Sequence, residues 1–246
     1  MQALSAVGLV VFWIATTSIG VRLLRLWLKT RLVPELTIGM SYFASGTLGW
    51  TLVLVGSSPA FRFSPVGLAL RTIGVFCMSL GSLALAAGTW RVFRPERRAL
   101  ALPLALLAAV LIADFVRNAL LRGTPFVRAD DPWYWPGALG RSLPIWWSTY
   151  ETFRYHALLR RRLRLGLIEP VLLNKLFLWG VSGACGTSMA ILAVAGTVFD
   201  FDYRHAQSTL MIYGVLGAIG AAAIWLAFFP PERYVKYVAA RAAEQP

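Results

Sequence analysis

The side chains best able to do chemistry in this sequence are the few charged residues inside long apolar segments. Asp114 lies in the fourth such segment and is followed by Arg117 and Asn118. Arg71 lies in the third segment and Arg141 in the fifth, at a depth similar to that of Asp114. Ionisable residues within a membrane are costly and usually face a bundle interior, so each is a functional candidate.

The outer cluster, defined as Arg71, Asp114, Arg117 and Arg141, has two interpretations. In the first, Asp114 pairs with an arginine and ties the third, fourth and fifth segments together. In the second, Asp114 neutralises one arginine while another binds the carboxylate or phosphate of a ligand. Arg71 and Arg141 could instead extend their charged ends to the membrane interface. The sequence leaves these alternatives open.

A second group, the inner network, is predicted from Glu151 and Arg154 on the fifth segment and Asn174 and Lys175 on the sixth. Glu151 and Arg154 share a helix face at a spacing of three residues. Bonds from Glu151 to Arg154, Lys175 or Asn174 would form either a static network or a switch between the fifth and sixth helices. Both remain hypotheses here.

Several chemistries are disfavoured by the residues present. A retinal protein needs a lysine in its last helix, and residues 207–229 contain none. The two histidines, His156 and His205, are expected near opposite membrane faces, and Asp114 and Glu151 in opposite halves. Metal sites and catalytic triads need such groups clustered. We therefore expect no metal and no cofactor. The residues argue against an enzyme but leave a mechanism based on a single acid open.

The elements that carry these residues are predicted from apolar length. The chain has 246 residues, of which 58% are hydrophobic and 14% charged, against about a quarter charged in soluble domains. A helix needs about 20 apolar residues to cross a membrane. The sequence predicts an all-α membrane protein, a bundle of seven transmembrane helices in a single domain, 1–246. The predicted helices are 3–24, 36–56, 66–89, 99–120, 138–159, 171–197 and 207–229.

The basic residues predict the orientation, because lysine and arginine collect in cytoplasmic loops. The loops that follow the second, fourth and sixth predicted helices have few basic residues, or have aspartates such as Asp131, Asp200 and Asp202 that balance the charge. This pattern places the N-terminus outside and the C-terminus in the cytoplasm, and it explains the net charge of +13 without a nucleic-acid partner. The cytoplasmic basic residues are Arg22, Arg25, Lys29 and Arg31, then Arg91, Arg94, Arg97 and Arg98, then Arg160, Arg161, Arg162 and Arg164, then Arg233, Lys236 and Arg241.

Two further segments have recognisable patterns. The aromatic run 131–136, DPWYWP, is typical of either an anchor at the level of the lipid headgroups or a lid over an outward-facing pocket. After Pro230 and Pro231, residues 232–244 predict a short amphipathic helix whose tyrosines and valines face the membrane.

Residues 155–170, YHALLRRRLRLGLIEP, join the fifth and sixth predicted helices. This junction resembles that of the seven-helix sensor modules of bacterial membrane histidine kinases. There a leucine- and arginine-rich run leads into a helix that starts with an acidic residue and proline. A kinase domain follows those modules but is not found in this sequence, so the resemblance implies a sensor that acts on a separate partner.

The predicted function is that of a multi-pass protein of the bacterial inner membrane, receptor-like or accessory. It would detect a small-molecule or lipid ligand outside and signal through its cytoplasmic loops to a separate partner. The alternative is a transporter or lipid-handling protein for an anionic or lipidic substrate. A packing subunit of a larger membrane complex is a third interpretation.

Overall fold

The computed structural model describes residues 2–121, 131–163, 165–199 and 207–243. Within these ranges the chain is helical and contains no strand. The described part has six helices long and apolar enough to cross a membrane, so the protein is a multi-pass membrane protein. These are Val10–Thr30, Val33–Ser57, Pro65–Phe93, Arg98–Ala119, Pro170–Val198 and Ser208–Phe228.

The helices follow the predicted segments closely. Prolines stand in the first turn of three of them, at Pro34, Pro65 and Pro170, where the missing amide proton costs no hydrogen bond. The described elements are α1 (Gln2–Thr30), α2 (Val33–Met40), π-helix π1 (Ser41–Gly49), α3 (Trp50–Ser57), α4 (Pro65–Phe93), a 3₁₀ turn (Arg98–Leu100), α5 (Ala101–Phe115), π-helix π2 (Val116–Leu121), α6 (Tyr134–Leu163), α7 (Pro170–Val198), α8 (Gln207–Phe228) and α9 (Glu232–Ala243).

The fifth predicted span corresponds to α6, which differs from the other long helices. It has 30 residues, enough to cross a membrane, but it is less apolar than the six spans above. Arg141, Glu151 and Arg154 lie within it, together with Pro144. By composition, α6 is therefore distinct from the six apolar spans.

The chain forms two compact units, and the boundaries between them fall inside α1 and α6. The first unit comprises Thr16–Ile145. In it, α4 packs along the helix formed by α2, π1 and α3. The backbones approach closely at Gly49 and Gly74, where a side chain on Gly74 would collide with the Gly49 carbonyl. Small residues permit such close approach between helices in lipid.

The second unit comprises Met1–Ala15 and Trp146–Pro246. Its main contact is between α7 and α8, with α9 also lying against α7. The beginning of α1 contacts α8, since a side chain on Gly8 would collide with the backbone of Gly214. The predicted C-terminal amphipathic helix corresponds to α9.

Candidate functional site

Among the described charged residues of the first unit, the most buried is Asp114 at the end of α5. Asp114 is only 3% exposed. One of its carboxylate oxygens accepts a hydrogen bond from Arg141 on α6 at 2.8 Å, and the other accepts one from the side-chain amide of Asn118 at 2.8 Å. A buried charge is tolerated when it is both paired and hydrogen-bonded, and Asp114 meets both conditions.

The backbone of α6 comes unusually close to this carboxylate. A Cβ atom on Gly137 would overlap the side chain of Asp114, so a glycine is needed at this position. One turn further, a Cβ on Gly140 would lie within 3.0 Å of the Leu111 side chain. Ser82 on α4 also reaches α6, where its hydroxyl donates to the Arg141 carbonyl at 3.1 Å. Three helices, α4, α5 and α6, therefore meet around the ion pair.

Arg117 connects this buried pair to the segment before α6. Its guanidinium forms an ion pair with Asp131 at 3.1 Å and donates to the side-chain oxygen of Asn118 at 3.0 Å. The same guanidinium lies over the ring of Trp133, 5.2 Å from the centroid. Asp131 also accepts the backbone N–H of Trp133 at 2.9 Å, which fixes the turn before α6.

These contacts form one continuous line, which we call the polar chain: Asp131, Arg117, Asn118, Asp114 and Arg141. It leads from the turn before α6, through π2, back to the first half of α6. The π-helix begins at Val116, between Asp114 and Arg117. Such π-helical turns occur frequently at functional sites.

The structure does not bring Arg71 into this group. Its guanidinium donates to the backbone carbonyls of Gly56 at 2.6 Å and Arg62 at 2.9 Å. The last carbonyls of a helix lack intrahelical partners, and Gly56 lies in the final turn of α3. Arg71 therefore satisfies the end of α3 and the loop that follows, at a distance from the polar chain.

The inner network is also only partly brought together. Glu151 is 3% exposed, and Arg154 forms an ion pair with it at 3.3 Å within α6 itself. Asn174 instead donates to the hydroxyl of Tyr234 on α9 at 2.8 Å. Lys175 forms no ion pair with Glu151. Of the inner network, the described contacts bring Glu151 and Arg154 together, while Asn174 bonds to α9.

Sequence reasoning missed three participants in the outer site: Asp131, Ser82 and Gly137. Asp131 could have been identified from the sequence, because this acidic residue begins the aromatic run that follows the fourth predicted segment. Ser82 and Gly137 could not have been identified from the sequence, because their contacts depend on the rotation of α4 and α6 about their own axes. Other residues of the predicted loops, such as Asp130, Asp200 and His205, lie outside the described residues.

The described residues contain no group of three or more His, Cys, Asp or Glu side chains that could hold a metal ion. The chemistry that the outer site can offer is charge-assisted hydrogen bonding within a closed network. The chain matches no protein-family model, no curated protein and no solved structure.

Proposed function

We propose that the protein is a receptor-like protein of seven membrane-spanning helices in one membrane domain. The N-terminus lies outside the bacterial inner membrane and the C-terminus in the cytoplasm. A small-molecule or lipid ligand acts on the polar chain from outside, and the cytoplasmic loops pass the change to a separate signalling partner. The resemblance of residues 155–170 to the sensor modules agrees with this role.

The polar chain is the observation that supports the proposal. Its outermost contact, between Arg117 and Asp131, is partly exposed, with 24% and 13% of the two side chains accessible. Its innermost member, Arg141, is part of α6. A ligand that competes for Arg117 or Asp131 therefore changes the contacts of α6 through Asn118 and Asp114. Such a ligand shifts the equilibrium between the intact polar chain and the chain broken at Arg117 and Asp131, because it binds the broken form more tightly.

Helix α6 provides the continuous element that such a signal needs. It is a single helix from Tyr134 to Leu163 and ends in three consecutive arginines. Pro144 lies inside it, and a proline within a helix removes a backbone hydrogen bond and permits a bend. A change at Arg141 reaches the arginine-rich end of α6 across about 30 Å of helix.

The contacts of the outer arginines favour this function over transport of an anionic substrate. Arg141 is paired with Asp114 and Arg117 with Asp131, while Arg71 donates to two carbonyls. An anion carrier needs a cationic group that is open to its substrate. In this site each candidate arginine is already bonded to the protein.

The proposal is tested with Arg117→Gln, because Arg117 joins Asp131 to Asn118 in the polar chain. The measurement is backbone hydrogen exchange in lipid nanodiscs, read at residues 156–163 at the far end of α6. Losing a partly exposed pair is worth about 0.2–1 kcal/mol, so we expect exchange there to rise by up to about fivefold. Asp131→Asn, a milder change, should act in the same direction.

Arg62→Gln is the matched control, because Arg62 is exposed, lies on the same predicted side and loses the same charge. We expect its exchange at residues 156–163 to equal that of the wild type. Exchange that rises near residue 117 alone in both test variants would contradict signalling along α6. An equal rise with Arg62→Gln would show a general charge effect and would also contradict it.

A further inference from the structure

The far end of α6 contains an open cleft whose lining is basic. The cleft has a volume of about 300 Å³ and is lined by His156, Ala157, Arg160 and Arg161. Ala157, Arg160 and Arg161 follow His156 by one, four and five residues, so the four positions form a strip along one side of the helix. This volume is at the lower end of the range of about 300–1,000 Å³ found for small-molecule sites.

Each lining residue has a distinct part in the shape of the cleft. The ring of His156 lies against Phe177 of α7, with centroids 5.5 Å apart, which holds the imidazole at one side. Ala157 is exposed and small, so it leaves the middle of the strip open. Arg160 and Arg161 are exposed and form no ion pair within the described part of the chain. The cleft therefore presents two uncompensated guanidinium groups.

Exposed leucines are close in sequence to the residues that line the cleft. Leu158 on α6 is exposed, as are Leu165 and Leu167 in the segment that follows the helix. Exposed leucines next to arginines match the two parts of a phospholipid, since acyl chains contact the leucines while the phosphate lies between the guanidinium groups. Basic pockets at the cytoplasmic ends of membrane helices bind anionic headgroups in this way.

We propose that this cleft is a binding site for a phosphate group, supplied by the headgroup of an anionic phospholipid. Arg160 and Arg161 bind the phosphate oxygens through charge-assisted hydrogen bonds. The carbonyls at the C-terminal end of a helix carry partial negative charge, so the arginines must supply all of the attraction. The inference rests on the proposed orientation, which places this end of α6 at the cytoplasmic headgroups.

The test measures binding of phosphatidylglycerol to the purified full chain in mild detergent by native mass spectrometry. Phosphatidylcholine with the same acyl chains and inorganic phosphate are the comparison ligands. Losing one direct contact between an exposed arginine and an anion costs up to about 1 kcal/mol, which is about a fivefold change in affinity. We therefore expect Arg160→Gln and Arg161→Gln each to weaken phosphatidylglycerol binding by about fivefold, with phosphatidylcholine bound weakly throughout.

Two further variants separate this site from a general charge effect. Arg162→Gln removes the same charge from the neighbouring position, which does not line the cleft, and should bind like the wild type. Ala157→Leu fills the cleft without changing the charge and should weaken binding. Equal losses with Arg162→Gln and Arg160→Gln, or unchanged binding with Ala157→Leu, would overturn the proposal.

The comparison ligands identify the source of the phosphate. Phosphatidylglycerol that remains bound in excess inorganic phosphate supports the lipid as the ligand. Displacement by inorganic phosphate alone supports a phosphate site that takes a soluble ligand and overturns the lipid assignment. Equal binding of phosphatidylcholine and phosphatidylglycerol overturns both. These results do not depend on hydrogen exchange after Arg117→Gln, so the two proposals can fail separately.

Discussion

At the scale of single residues, the burial of Asp114 determines what its neighbours can be. Removing a carboxylate from water is costly, and here the cost is offset by Arg141 and Asn118, one on each oxygen. With both oxygens held, the side chain of Asp114 has little freedom to move. The facing position on α6, Gly137, is consequently restricted to glycine.

Gly137→Ala should lower the stability of the protein. Its Cβ would displace the Asp114 carboxylate. This carboxylate is held by Arg141 and Asn118, so moving it aside breaks hydrogen bonds. Overpacking of this kind costs about 1–3 kcal/mol, which exceeds the gain in helix propensity of about 0.5–1 kcal/mol on replacing glycine by alanine. The measurement is the thermal unfolding temperature in detergent, which we expect to fall.

Gly217→Ala on α8 is the matched control. The atom nearest to a Cβ at this position is the Gly8 carbonyl oxygen at 3.6 Å, an ordinary contact. Its unfolding temperature should stay the same or rise. A Gly137→Ala protein as stable as the Gly217→Ala protein would show that the Asp114 carboxylate is not held as described.

The sequence predicted that Asp114 and arginines lie at one depth, since depth follows from position along an apolar segment. It could not select Arg141 as the partner in preference to Arg71 or Arg117. That choice depends on helix rotation, which the nearly uniform apolar faces of these segments leave unspecified. For the same reason the bond from Asn174 to Tyr234 could not be foreseen.

At the scale of elements, α9 is attached to the bundle of its unit by few polar contacts. Tyr234 is half-buried and its hydroxyl accepts a hydrogen bond from Asn174 in the first turns of α7. Tyr237, three residues on, is 58% exposed. The short helix therefore has one tyrosine towards α7 and one towards its surroundings.

Tyr234→Phe should loosen α9 without unfolding the rest of the protein. The variant removes a hydrogen bond worth about 0.5–1.5 kcal/mol, so hydrogen exchange in residues 233–241 should rise while the unfolding temperature changes little. Tyr237→Phe makes the same chemical change at the exposed position and should leave exchange close to that of the wild type. If both variants behave alike, Asn174 does not anchor α9.

Long apolar runs made the helices predictable, and Glu169 with Pro170 marked the start of α7. The π-helices had no such signal. Residues 41–49 contain small and polar side chains whose packing against α4, such as that of Ser45 against Gly81, is a tertiary contact. Because this change from α-helix to π-helix depends on packing against α4, the sequence of residues 41–49 alone does not predict it.

At the scale of the whole molecule, the number of membrane crossings depends on α6. Its polar residues lower its apolarity, yet Asp114 and Arg141 neutralise each other and Glu151 is paired with Arg154. Paired charges cost less in a membrane than isolated ones. The alternation of basic loops requires this crossing, because without it the arginines at 160–162 would lie on the opposite side from the basic loop at residues 91–98, which precedes α5.

Whether the number of crossings is odd or even determines the sides on which the two chain ends lie. With seven spans the chain ends lie on opposite sides of the membrane, and with six they lie on the same side. A reporter that is active only in the cytoplasm should therefore work after Gln245 and fail at Met1 and near Asp200, three positions outside the described residues. Activity at both ends would leave an even number of spans and make α6 a non-crossing helix. Activity near Asp200 would reverse the orientation of α7 and α8, and with it the cytoplasmic assignment of the α6 cleft.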